Sequence, residues 1–198
     1  SDVFCQGREA CNGTYNAVPA IVQEQMDKFA SLTGRQYHIF DYVGDPNAEN
    51  VLVVIGSGAG IIEEYLDTVG LDKNCGLVIV RLYRPFSAAA FVGALPKNVK
   101  TVAVLDRTKE PGAAGEPLYL DVVAAMSQAW EGAMPKILGG RFGLASKDFT
   151  PAMVKGLYEM MAAGSLKNNF TVGINDDVTF SSVVDDPSYN TEQDDVRR

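Results

Sequence analysis

The chain has 198 residues, 46% of them hydrophobic and 21% charged, and a formal net charge of -8. That length supports a buried core for one ordinary α/β domain with extensions at both ends, not two full domains. The acidic balance excludes a surface built for nucleic acid or an anionic membrane, and no apolar run approaches the roughly 18 to 20 residues that a membrane span needs.

Ser1 to Gly13 shows little periodicity and is expected to be a connector, or a segment that packs on something outside the chain. From Ala17 to Leu32, Val18, Ile21, Val22, Met26, Phe29 and Leu32 recur at helical spacing, with Pro19 in the first turn and Gly34 as the stop. Tyr37 to Tyr42 reads as a short strand, broken by Gly44-Asp45-Pro46-Asn47. His38, the single histidine, sits among aromatic residues and is expected to be structural. Val51 to Ile55 is a run of apolar residues buried on both faces, followed by the turn Gly56-Ser57-Gly58-Ala59-Gly60 and a helix ending before Gly70. Such a turn presents backbone N–H groups at a helix N-terminus, where phosphate or carboxylate can bind. The dinucleotide fingerprint fails, because Ile61 stands where the third glycine belongs and the next strand ends in Arg81 instead of an acid.

Leu77 to Val80 and Val102 to Leu105 are two further buried strands, joined by a helix that Ser87 caps and Pro96 stops. The loops Arg81 to Phe86 and Asp106 to Pro117 are therefore expected on one edge, at the carboxyl ends of parallel strands. Glu116 to Trp130 is a helix with Pro117 in its first turn, and Lys136 to Arg141 a short strand leading into a glycine-rich loop. A helix opened by Pro151 is expected, capped by Asp148 or Thr150 and ended by Gly164, with its three methionines filling the core. Phe170 to Ile174 is a last strand, Val178 to Val184 another candidate strand, and Asp185 to Arg198 a frayed tail. The expected fold is α/β: an open parallel sheet with helices on both faces, in a Rossmann-like three-layer arrangement.

The constellations are sparse. Cys5, Cys11 and Cys75 lack C-x-x-C spacing and nearby histidine, so no disulfide framework or metal ligand set is assigned, and Asp176-Asp177 lacks the further spaced carboxylates of a metal loop. A reducing compartment is expected: the cytoplasm, or an organelle if the source is eukaryotic. Asp106, Arg107, Lys109 and Glu110 crowd one loop without a Ser/His or Cys/His pair behind them, which favours surface ion pairs or a docking edge over acid–base catalysis. Arg81 and Arg84 flank Tyr83 in a segment suited to gripping an anion or pinning the loop to a neighbouring domain, and docking is the expected role. The chain does not begin with Met, and an excised piece of a longer polypeptide is expected.

Several strings together resemble the second domain of the pyruvate:ferredoxin (flavodoxin) oxidoreductases: Val80-Arg81-Leu82-Tyr83-Arg84-Pro85-Phe86, Ala94-Leu95-Pro96, Val104 to Gly112, Gly115 to Asp121 and Phe170 to Thr179. Upstream, Arg8-Glu9-Ala10, Ala17-Val18-Pro19, Leu32 to Tyr37 and Phe40 to Gly44 are similar to the end of that family's first domain. The resemblance is colinear from about Phe4 to Val184. It implies a domain of transketolase C-terminal type at residues 48–168, preceded by the end of another domain at 1–47 and followed by the start of a third and a flexible tail at 169–198.

The resemblance further implies a multidomain parent, expected to be a homodimer, that oxidatively decarboxylates pyruvate with coenzyme A to acetyl-CoA and carbon dioxide. It would use thiamine diphosphate, Mg2+ and 4Fe-4S iron–sulfur clusters, and pass electrons to ferredoxin or flavodoxin. A pyruvate:NADP+ oxidoreductase would look alike over this stretch. The segment itself is expected to hold no cofactor and no catalytic residue. Its role would be architectural, through contacts to other domains of the same polypeptide at Arg81, Arg84, Arg107 and Glu110. The alternative is an anion- or nucleotide-binding module in which Ser57, Gly58, Arg107 and Gly115 touch the ligand.

Overall fold

The computed structural model describes residues 1–69, 74–176, 178–186 and 189. Helices α1 (Asp2–Ala10) and α2 (Asn12–Thr33) lead into strand β1 (Phe40–Gly44), then β2 (Asn50–Ile55), α3 (Gly58–Val69), β3 (Cys75–Val80), α4 (Ala88–Ala94) and β4 (Thr101–Asp106). The chain continues through α5 (Pro117–Ala129), β5 (Lys136–Arg141), α6 (Pro151–Ala162) and the two-residue β6 (Phe170–Thr171). One sheet runs in the order β1-β3-β2-β4-β5-β6. The expected α/β fold with helices on both faces is what the chain adopts.

The sheet is not parallel throughout. β2 to β6 run parallel, but β1 pairs antiparallel with β3, Phe40 opposite Val80 and Gly44 opposite Gly76. Connection length is the reason. Only residues 45–49 join β1 to β2, whereas a parallel partner needs a crossover of about a dozen residues or more.

Two apolar layers hold the helices to the sheet. Leu52, Val54, Leu77, Ile79 and Leu105 face one way and meet Ile62, Leu66, Val154, Leu157 and Met161 of α3 and α6. Val51, Val53, Val78, Val102 and Val104 face the other way, against Phe91 of α4 and Leu118, Val122 and Met126 of α5. Alternation along each strand divides the side chains between the layers, and each fully buried Leu, Ile or Phe stabilises by about 1.5–3 kcal/mol. Two of the three methionines of α6, Met153 and Met161, are buried core, and Thr150 caps the helix by accepting from Met153 N–H.

Four local expectations are corrected. Ser1 to Gly13 is helix α1 and the start of α2, not a connector, and Pro19 lies inside α2 instead of in its first turn. Neither helix contains a buried residue, so apolar periodicity, which reports burial, had no signal for α1. The last strand stops at Thr171, and Val178 to Val184 forms no strand, only an isolated bridge between Thr171 and Ser182. The Asp176 carboxylate accepts from Val178 N–H and Thr179 N–H and so holds a turn where the ladder would have run. In the expected frayed tail, Asp186 pairs with Lys155 at 2.9 Å and the Tyr189 ring meets Tyr65; residues 187–188 and 190–198, like Asp177, lie outside the described residues.

Candidate functional site

Parallel pairing brings the carboxyl ends of β2, β3, β4 and β5 to one edge of the sheet. The chain leaves β2 towards β3 on one side and leaves β4 towards β5 on the other. The crevice between these neighbouring strands is the switch point at which open α/β sheets bind ligands.

A cleft of about 260 Å³ opens there, lined by Ser57, Gly58, Arg107, Phe142, Lys147 and Asp148 among others. Gly56, at φ +77° in the left-handed region, turns the chain from β2 into α3. Gly58 then lies so close to Phe142 that an added Cβ would stand 3.0 Å from the ring. The first N–H groups of α3 give this end of the cleft a partial positive charge. Arg107 reaches across from the end of β4 and donates from Nε to Gly143 O at 3.0 Å, which fixes its guanidinium over the β5 loop. Two cationic side chains and a helix N-terminus outweigh the single carboxylate of Asp148, so the cleft suits a small anion.

Ser57, Gly58 and Arg107 are thus brought together, with Lys147 from the following loop as a member the sequence reading did not single out. Gly115 does not line the cleft. It is buried against Tyr119, where an added Cβ would overlap the ring.

The charged loop after β4 is held from within. Asp106, 6% exposed, accepts from Leu118 N–H at 2.9 Å and Tyr119 N–H at 3.1 Å, and so caps α5 from a neighbouring strand. Burial pushes its carboxyl above the ordinary range; the two amide bonds pull it down by less, and Glu116 and Asp121 add to the rise. Glu116, 3% exposed, accepts from Arg141 Nε at 2.5 Å and from Glu110 N–H at 2.7 Å. Glu110 is exposed and its carboxylate takes a bond from the Thr108 hydroxyl at 3.4 Å. The importance of Glu116 and Arg141 was missed in the sequence, where the only signal was an acid directly before the proline that opens α5.

The remaining predicted contacts lie along the same edge. Arg81 pairs with Asp41 and stacks over the Tyr37 ring, 4.6 Å from its centroid. His38 also bonds Asp41, at 2.9 Å. Arg84 pairs with Asp121 at 2.7 Å and lies 3.9 Å over the Tyr83 ring. Burial, with Asp45 adding, pushes the Cys75 thiol up to about 12, so it stays protonated near neutral pH. Cys5, Cys11 and Cys75 form no disulfide among the described residues, and no group of three His, Cys, Asp or Glu side chains among those residues is placed to hold a metal ion. Iron–sulfur clusters need a set of clustered cysteine thiolates, and the described residues bring no such set together. No described helix is long and apolar enough to cross a membrane.

Comparison with known proteins places this architecture. The chain is 51% identical over 199 residues to a pyruvate-flavodoxin oxidoreductase of Trichormus variabilis, a match covering 100% of the chain and 17% of the relative. It is 50% identical to a pyruvate:ferredoxin oxidoreductase of Moorella thermoacetica, covering 92% of the chain and 16% of the relative. A pyruvate dehydrogenase (NADP+) of Cryptosporidium parvum is 49% identical over 92% of the chain and 10% of its own length. The chain therefore spans about a sixth or less of these three relatives. Residues 48–153, which carry β2 to β5 and the cleft, match the family model described as pyruvate:ferredoxin oxidoreductase core domain II, and the chain belongs to that family.

Proposed function

We propose that this chain is a structural, non-catalytic segment of a longer polypeptide that oxidatively decarboxylates pyruvate with coenzyme A, giving acetyl-CoA and carbon dioxide. Electrons leave through iron–sulfur clusters to ferredoxin or flavodoxin. The polypeptide works as a homodimer with thiamine diphosphate and Mg2+ held in its other domains. Residues 48–168 form the structural unit, and 1–47 and 169–198 join it to its neighbours, with Arg81, Arg84, Arg107 and Glu110 at the contacts. One observation carries this reading: Asp106, Glu116, Arg141, Arg81 and Arg84 of the carboxyl edge are engaged with other side chains or with backbone. Asp106 caps α5, Glu116 holds Arg141, Asp41 holds Arg81 and Asp121 holds Arg84. Groups so engaged stiffen loops for docking. The likeness to the Cryptosporidium parvum protein supports NADP+ as an alternative acceptor.

The test is an assay of pyruvate- and coenzyme A-dependent reduction of ferredoxin, flavodoxin and NADP+, by the longer polypeptide and by the 198-residue chain. Turnover by the longer polypeptide and none by the chain is the expected result. Turnover by the chain alone overturns the reading.

A second reading is an anion-binding module, favoured by the meeting of Ser57, Gly58, Arg107 and Lys147 in one cleft. Calorimetric titration of the chain with coenzyme A, NADP(H), and thiamine diphosphate plus magnesium separates the two. Saturable heat at about 100 μM ligand, roughly 5 kcal/mol of affinity, that disappears in Arg107→Ala supports the module. Silence on every ligand supports the structural segment.

A further inference from the structure

The cleft where the β2, β4 and β5 loops meet holds hydrogen-bond donors that the chain leaves unused. Arg107 spends Nε on Gly143 O, and its two terminal guanidinium nitrogens have no partner among the described residues. Its course is built into the loop: Gly143 stands at φ +65°, and an added Cβ there would lie 3.0 Å from Arg107 Nε. The Lys147 ammonium and the Ser57 hydroxyl line the same cleft, also without a partner among the described residues. Nor does any described backbone carbonyl accept from Ser57 N–H or Gly58 N–H at the start of α3. Acids outnumber bases 25 to 17 in the chain, yet Arg107 and Lys147 pair with no carboxylate among the described residues, Asp148 of the same lining included.

We propose that this cleft binds a tetrahedral phosphate dianion, free or as the terminal group of a small monoester, a proposal that rests on the anion-binding reading and names its ligand. The donor set selects phosphate. The flat fork of Arg107, with both terminal nitrogens available, takes two oxygens side by side. Lys147, the Ser57 hydroxyl and the two main-chain N–H groups then remain for a third oxygen, which phosphate has and a carboxylate lacks. A charge of -2 also answers two cations better than a single negative charge does, and it outlasts the opposition of Asp148. At about 260 Å³ the cleft is smaller than the roughly 300–1,000 Å³ that encloses a drug-sized ligand, so it takes the phosphate itself and leaves the body of any larger ester outside.

Phosphorus-31 NMR and calorimetric titration of the chain, at constant ionic strength and at a pH well above the second phosphate pKa of about 6, test this with inorganic phosphate, AMP, cyclic AMP and adenosine. Phosphate is expected to saturate, and Arg107→Ala and Lys147→Ala each to weaken it at least about tenfold. Asp148→Asn removes the one opposing charge and is expected to tighten binding, a gain that misfolding cannot imitate. AMP binding alongside phosphate assigns a monoester, and phosphate binding without AMP assigns the free ion; both support the site. Cyclic AMP, a diester of single charge, and adenosine are expected to stay silent. No saturation by phosphate or AMP up to about 10 mM, or binding that neither alanine variant weakens, overturns the proposal. Equal binding of AMP and cyclic AMP overturns it too, but leaves the anion-binding reading standing, as does saturable heat from coenzyme A or NADP(H) when phosphate and AMP are silent. Silence on every ligand removes both.

Discussion

Arg141 Nε lies 2.5 Å from Glu116 Oε1, joining the end of β5 to the residue that precedes α5, with the two side chains only 12% and 3% exposed. Arg141 also donates to Asn169 O at 3.3 Å, so the pair links three successive parts of the carboxyl edge. Glu116→Ala strips a buried cation of its carboxylate and leaves Glu110 N–H without its acceptor. Chemical denaturation of the chain is expected to show a loss of about 3 kcal/mol, with Glu116→Gln losing less because it keeps an acceptor. An alanine variant as stable as the parent refutes the assignment.

Asp106 provides the pH dependence. Its folded-state carboxyl lies above the ordinary value of 3.8, chiefly through burial. A native state that holds its proton more tightly than the unfolded chain gains stability as pH falls through the folded value towards 3.8 and loses that gain as pH rises again. The sign is opposite to that of a carboxylate stabilised by an ion pair. Carbon-13 NMR titration is expected to place the Asp106 midpoint above 3.8, and a midpoint below it contradicts the burial argument.

Gly140 lies beside Phe170 in the β5–β6 register, and an added Cβ would overlap the fully buried Phe170 ring. Gly140→Ala is therefore expected to destabilise by about 1–3 kcal/mol through overpacking. Phe170→Leu in the same chain should recover part of that loss. The measurement is the coupling between the two substitutions in a double-mutant cycle, and strict additivity would show that the ring and the glycine do not constrain each other.

Tyr158 of α6 is buried and donates to Gly76 O at 2.8 Å, pinning the helix to β3. Tyr158→Phe removes the donor with little change of shape, and urea denaturation should show a loss of about 1 kcal/mol. Burial holds this phenol well above its ordinary value of 10.0. Burial also raises Tyr42 and Tyr65, so ultraviolet titration through the ordinary tyrosine range should find several tyrosines fewer ionising in the folded parent than after unfolding.

Much of the core was legible in residue order. The runs at Val51, Leu77 and Val102 are buried strands because residues apolar on both faces fit only the interior of a covered sheet. Ser87, Thr150 and Pro117 marked helix starts correctly, since a cap is chemistry between residues a few positions apart. What failed lacked such local or burial signals. The helix at Asp2 buries nothing, and Val178 to Val184 has strand-like composition but a turn held by Asp176.

By itself, then, the sequence determined the α/β class, the family and the strands of the central sheet, because these follow from side-chain period, turn chemistry and shared strings. Only the tertiary structure decided that β1 runs against β3, that Ser57, Arg107 and Lys147 line one cleft while Gly115 does not, and that Arg141 answers Glu116. Each of these depends on which strands become neighbours, and the 25 positions separating Glu116 from Arg141 are closed only when β4 and β5 lie side by side.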